Sequence, residues 1–218
     1  MSVPFWAPAE IEASIPATIE HLAERRVLAY PTETVYGFGG AIDELSVDAL
    51  VKLKGREPGK PFLILVSGSE MVARLDLRLA GDAARLAARH WPGPLTLVLP
   101  GGERRVPPRL RGPEGGIAVR WTSHPAIARL LQAYGEPITS TSANRPGQPA
   151  AASAGEVVAA WGDAIRSGLL RVLDGGRLTP SPPSTVIDCT GKRLRVIRPG
   201  AIASAVLRES VPDLIGDQ

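Results

Sequence analysis

Short apolar runs alternate with stretches of helical spacing along most of this chain. The runs RVLAYPTET, PFLILV, LTLVL, GGIAVR, PITSTSAN, LLRVLD, STVIDCT and LRVIR each hold only a few consecutive apolar residues, bounded by Gly, Pro or polar positions. Runs of that length and boundary predict buried β-strands. Between them, Ile11, Ile15, Ile19 and Leu22 fall on one face of a helix expected from Glu10 to Arg25, in which Pro16 marks a break or the true start. SVDALVKLK predicts a helix ending at Lys54 with Ser46 as its N-cap. Further helices are expected at Asp82 to His90, His124 to Ala133, Ser153 to Trp161 and from Ala201. Such alternation predicts an α/β domain, a twisted and largely central sheet with helices on both faces.

Length and charge narrow the picture. At 218 residues the chain suits one α/β domain with short appendages. No internal repeat, low-complexity tract or interdomain linker stands out. The Pro/Gly-rich stretches at 100–116 and 175–183 read as long loops, a common place for function. Hydrophobic content of 44% and charged content of 22% are those of a soluble globular protein. A formal charge of +3 favours anionic ligands without demanding nucleic acid. Aromatic residues make up only 5%, which leaves few stacking platforms and weighs against the alternative of an RNA-binding module without catalysis. Cys189 is the only cysteine, so neither an internal disulfide nor a cysteine zinc cluster can form. A cytoplasmic location is expected, because no signal-peptide pattern and no apolar run near the ~20 residues of a bilayer span is present.

The candidate chemistry begins at KGREPGKP, residues 54–61. It departs from the P-loop pattern: three residues rather than four separate Gly55 from Gly59, and Pro61 stands where a Ser or Thr should follow the lysine. What remains is a cationic turn of Lys54, Arg56 and Lys60 that can converge on an anion. Polar groups also collect at the ends of the apolar strands: Thr32, Thr34, Arg120, the run Ser140 to Asn144, Ser184 and Arg198. Singly, each Ser or Thr would serve its own turn and each Arg a surface ion pair. Together they predict one shared cleft at the strand ends of an open sheet. The three histidines form no metal pattern, no G-x-S-x-G elbow is present, and Cys189 in its apolar strand reads as an inert thiol.

Seven motifs in order, AYPTETVYGFGG, KGREPGKPF, WPGPLTLVL, GIAVRWTSHP, ITSTSANRPGQPA, STVIDCTG and VIRPGAI, closely resemble the YrdC/Sua5 family of threonylcarbamoyl-AMP synthases. The resemblance covers about residues 12–205, leaving an N-terminal extension (1–11) and a short C-terminal tail (206–218). It looks like the single-domain form. It implies the YrdC/RibB-like fold, a twisted mixed sheet with a concave ligand cleft. It also implies a reaction of L-threonine, bicarbonate or CO₂, and ATP with Mg²⁺, yielding L-threonylcarbamoyladenylate and pyrophosphate. The product would pass to a tRNA threonylcarbamoyl transferase complex that modifies position 37, and weak tRNA binding is admitted. The family's Lys-x-Arg and Ser-x-Asn signature is met by Lys54, Arg56, Ser142 and Asn144. By the same resemblance Lys54, Arg56 and Lys60 contact the triphosphate, Ser142 and Asn144 complete that side, and Gly116, Ala150 and Arg198 also belong to the nucleotide. Arg120 belongs to the threonine carboxylate, with Thr32 or Thr34, Leu65, Ser140 and Ser184 around the rest of the amino acid. Two departures stand out: Glu57 precedes Pro58 where proline usually follows directly, and Leu65 stands where some members carry histidine.

Overall fold

Successive side chains of a strand point to opposite faces of its sheet, so a strand buried on both faces needs two apolar layers over it. The computed structural model describes residues 1–55, 61–179 and 181–216, so the expectations placed on Arg56 and Lys60 lie outside the described residues. The strands are β1 (Val3–Pro4), β2 (Val27–Tyr30), β3 (Gly37–Gly39), β4 (Leu63–Val66), β5 (Leu95–Leu99), β6 (Ile117–Trp121), β7 (Ile138–Ser142), β8 (Leu170–Asp174), β9 (Thr185–Asp188) and β10 (Arg195–Arg198). The helices are α1 (Pro8–Ala23), α2 (Glu44–Lys54), α3 (Ser69–Arg74), α4 (Gly81–His90), α5 (Pro125–Tyr134), α6 (Ala154–Ala160), α7 (Gly162–Arg166) and α8 (Ser204–Arg208).

The strands form one mixed sheet in the order β1-β8-β2-β3-β7-β4-β6-β5-β9-β10. Pairing is parallel for β1·β8, β2·β8, β4·β6 and β5·β9, and antiparallel elsewhere. One face carries Val27, Ala29, Ile64, Val66, Leu97 and Val119 into the larger core, packed by residues of α2, α3, α4 and α6 such as Leu50, Val72, Leu86 and Val157. The opposite face carries Leu28, Tyr30, Leu65, Ile138 and Leu173 into a second core, covered by Ile11, Ile15 and Leu22 of α1 and by Ile127, Leu130 and Leu131 of α5. This second cover stops at β4. Beyond it the same face continues, by register, from Leu65 to Arg120 and from Ala118 to Val98 and Asp188, with no helix above it among the described residues.

Several boundaries differ from the pattern-based reading. Pro16 neither breaks α1 nor starts it; the proline is exposed, while the buried residues on the other side hold the helix to the sheet. The three-residue β3, GFG, is not evident from apolar runs. Gly39 approaches β7 so closely that a Cβ there would lie 1.8 Å from the Thr139 carbonyl oxygen. The segments expected as appendages pack into the same body. β1 pairs with β8, Phe5 is fully buried, and Leu207, Val211 and Leu214 join the larger core.

The N-cap of α2 is Asp43 rather than Ser46. Its carboxylate accepts from Leu45 N and Ser46 N, both at 3.1 Å, and from Ser46 Oγ at 2.7 Å. Burial alone would raise the Asp43 pKa, but the bonds from Ser46 and Leu45, with Arg25 nearby, outweigh it and hold the group below its ordinary value. Asp43→Ala should therefore lower stability by about 1 kcal/mol at neutral pH. The folded pKa is depressed, so the contribution is present above the unfolded value near ~3.9 and is lost as pH falls through the folded one. Urea denaturation of both proteins across pH 2–7, a range of about five units, should show the curves converging in acid.

Candidate active site

Where the helical cover ends, the exposed sheet face becomes the floor of a cavity of about 750 Å³. Thr96, Val98, Ala118 and Val186 form a largely apolar floor, and walls rise from the loops around Thr34, Ser142, Gly116 and Ser184. The cleft thus lies on the face of the sheet rather than outside its strand ends, because the period of two carries the lining residues into mid-strand positions.

One end of the cavity is cationic. Arg120 is 4% exposed, and its Nε lies 3.6 Å from Glu33 Oε1 without a hydrogen bond. Arg198 reaches it from β10. Its Nε and Nη2 donate to the Ser184 carbonyl at 3.2 and 2.8 Å, and Nη2 also donates to Ser184 Oγ at 3.0 Å. Ser184 Oγ is in turn 2.8 Å from Thr96 Oγ1. Burial lowers the proton affinity of Arg198, and the charge of Arg120 adds to the effect. Arg120 faces the one carboxylate of Glu33 and Arg198 adds a second guanidinium to this end, which leaves unbalanced positive charge that a bound anion would relieve.

Beside this end lies the loop after β2. Thr32 Oγ1 accepts from the backbone N–H groups of Thr34 and Val35, each at 3.2 Å, and donates to Val35 O at 2.7 Å. Its hydrogen is spent on its own turn, so the 3.1 Å contact between the hydroxyls is Thr34 donating to Thr32. Thr34 Oγ keeps its acceptor lone pairs, and both threonines line the cavity together with Ser140.

The side wall is held from behind. Lys54, 7% exposed at the end of α2, donates from Nζ to Ser142 O and Asn144 O, both at 2.6 Å, and to Asn144 Oδ1. Ser142 Oγ donates to Asn144 Oδ1 at 2.6 Å, and Asn144 Nδ2 to Gln148 O at 2.6 Å. Lys54 and the Ser-x-Asn element are therefore one unit: the lysine fixes the turn that presents Ser142 and Asn144 to the cavity.

The cavity brings together Thr32, Thr34, Gly116, Arg120, Ser140, Ser142, Asn144, Ala150, Ser184 and Arg198. Lys54 stands behind the wall rather than in the lining. Leu65 does not join them: fully buried in the second core, its side chain is committed to packing under α1 and α5. The far end holds residues to which the sequence assigned no role. Asp188 accepts from Thr190 N and Oγ1 at 3.0 and 2.7 Å and from Arg195 Nη2 at 3.2 Å, and Glu114 stands 3.6 Å from Arg195. Alternate polar positions in VIDCT were the available signal. Gly116 borders that end, where a Cβ would come within 2.5 Å of Thr190 Cγ2 and 2.6 Å of Val98 Cγ1. Cys189 points away from the chemistry; burial, with Asp188 adjacent, pushes its thiol up to about 12. Among the described residues, no group of three or more His, Cys, Asp or Glu gathers as a metal site.

A family model described as "Telomere recombination", that of the Sua5, YciO and YrdC proteins, matches residues 20–200. The chain belongs to this family. A threonylcarbamoyl-AMP synthase from Chromohalobacter salexigens is 42% identical over 174 residues, which cover 78% of this chain and 89% of the relative. One from Pyrococcus abyssi is 36% identical over 197 residues, 90% of this chain but only 55% of that protein. The crystal structure of P. abyssi Sua5 complexed with L-threonine superposes with a TM-score of 0.88 at 31% identity, over 99% of this chain and 62% of the other. The chain thus spans little more than half the length of the P. abyssi relative while matching 89% of the C. salexigens one.

Proposed function

We propose that the protein is an L-threonylcarbamoyladenylate synthase, a nucleotidyltransferase that joins L-threonine, CO₂ or bicarbonate, and ATP with release of pyrophosphate. The observation that carries this reading is the buried Arg120, with Arg198 beside it, at one end of a cavity whose side wall is the Ser142–Asn144 turn fixed by Lys54. Relatives sharing 36–42% identity bear the name of this enzyme, and a solved relative holds L-threonine.

The chemistry requires two anions to meet. The neutral amine of threonine adds to CO₂, forming a C–N bond and releasing a proton to solvent. A carbamate oxygen then attacks the α-phosphorus, and the bond to pyrophosphate breaks. No protein nucleophile is needed; the obstacle is charge repulsion, which preorganised donors offset. Arg120 would take the amino-acid carboxylate in its planar fork. Thr34 would accept from the amino group, a reading supported by Thr32 Oγ1 spending its hydrogen on Val35 O. Ser140 and Ser184 lie where the substrate hydroxyl could be read, and a site built to bond that hydroxyl rejects analogues without it. Ser142, Asn144, Gly116, Ala150 and Arg198 would border the nucleotide, joined by Arg56 and Lys60. Mg²⁺ would arrive with ATP, held by phosphate oxygens and water.

The product would serve a cytoplasmic tRNA-modifying transferase, with tRNA itself at most a weak partner. Pyrophosphate release from ATP, measured with threonine and bicarbonate omitted in turn, tests the reading. Release should require both. Release indifferent to threonine would overturn it.

A further inference from the structure

We infer that Glu33 is a positioning residue that aims the Arg120 guanidinium into the cavity and sets the charge of that end for a monoanion. Glu33 does not line the cavity, so it acts through Arg120. It follows β2 in the loop braced by Thr32, and its side chain is 14% exposed. A chain of hydrogen bonds fixes its far oxygen: His124 N donates to Thr122 Oγ1 at 3.2 Å, and Thr122 Oγ1 donates to Glu33 Oε2 at 2.8 Å. Thr122 is fully buried, two positions beyond Arg120. The near oxygen, Oε1, is buried without a hydrogen bond and faces Arg120 Nε at 3.6 Å, itself buried and unbonded.

This geometry has two consequences. The Nε edge of Arg120 is drawn toward Glu33, which leaves the guanidinium's terminal nitrogens for a ligand; the described residues accept no hydrogen bond from them. Arg120, Arg198 and Glu33 together carry one net positive charge, which a single carboxylate neutralises. Without Glu33, the charge of Arg198 would act on Arg120 with no carboxylate paired to Arg120 among the described residues.

The inference rests on the proposed function, and steady-state kinetics of Glu33→Gln and Thr122→Val separate the two. In Glu33→Gln the amide oxygen can still accept from Thr122. Its NH₂ would then face the Arg120 Nε–H, donor against donor, and displace the guanidinium. KM for L-threonine should rise about ten- to a hundred-fold with KM for ATP unchanged, since small misplacements of a substrate clamp carry effects of that order. Thr122→Val, which keeps the charge but frees Glu33, should move the same ratio in the same direction by less. An unchanged or lower KM for threonine in Glu33→Gln would overturn the inference, as would an equal rise in both KM values with a lower melting temperature. Wild-type turnover that ignores threonine would overturn the proposed function and this inference with it.

Discussion

Replacing Arg120 by alanine is expected to abolish threonine-dependent turnover and to destabilise the fold at the same time. The first effect follows from losing a buried planar donor pair. Truncating one side of a desolvated charge contact weakens binding by about 2–5 kcal/mol, on the order of thirty-fold or more in affinity for L-threonine. The second follows from Glu33, left with its Oε1 buried and its counter-charge gone. Breaking a buried pair from one side costs about 3–5 kcal/mol. Titration calorimetry with L-threonine and urea denaturation of the same preparation read the two effects separately. Arg120→Lys should recover part of the stability but little of the binding, because an ammonium cannot grip a carboxylate through two parallel bonds. Retained threonine affinity in Arg120→Ala would remove Arg120 from the site.

Lys54→Ala is expected to damage the opposite wall. Its ammonium holds Ser142 O, Asn144 O and Asn144 Oδ1 from beneath. Without it three oxygens lose a charged donor, and a hydrogen bond to a charged group contributes about 1.5–3 kcal/mol. The Ser142–Asn144 turn would relax, and turnover should fall about a hundred-fold through loss of positioning on the nucleotide side. Lys54→Met, which keeps the stem and removes the charge, should lose turnover while retaining more of the packing. Melting temperatures and pyrophosphate release for both variants check this. Full activity in Lys54→Met would show that the ammonium neither fixes the turn nor meets the substrate.

What was legible in the chain depended on whether the cause lay within a few residues. LTLVL became β5 and ITSTS became β7 because short apolar or β-branched runs between Gly and Pro have few other ways to be buried. GFG was not legible as β3, since glycine has weak strand preference and only the approach of Thr139 requires it. Ser46 reads as a cap because it precedes the apolar spacing, yet Asp43 accepts more bonds and begins the helix three residues earlier. Among the site residues, the hydroxyls and arginines stood out by type and position. Their partners did not: Thr122 meets Glu33 across 89 positions and Lys54 meets Ser142 across 88. Leu65 fell on the covered part of a face whose uncovered part is the site, a distinction no local pattern carries.

By itself the sequence determined the alternation of buried strands and amphipathic helices, the excess of positive charge, and the set of hydroxyl, amide and guanidinium groups available for an anionic reaction. Only the tertiary structure decided that α1 and α5 cover one face as far as β4 and leave the rest bare. It also decided that Arg120 and Arg198 both line the cavity over that bare strip, and that Glu33 and Lys54 brace its two sides from behind. The reason is physical: strand periodicity divides residues between two faces, but which face stays open depends on where distant helices land.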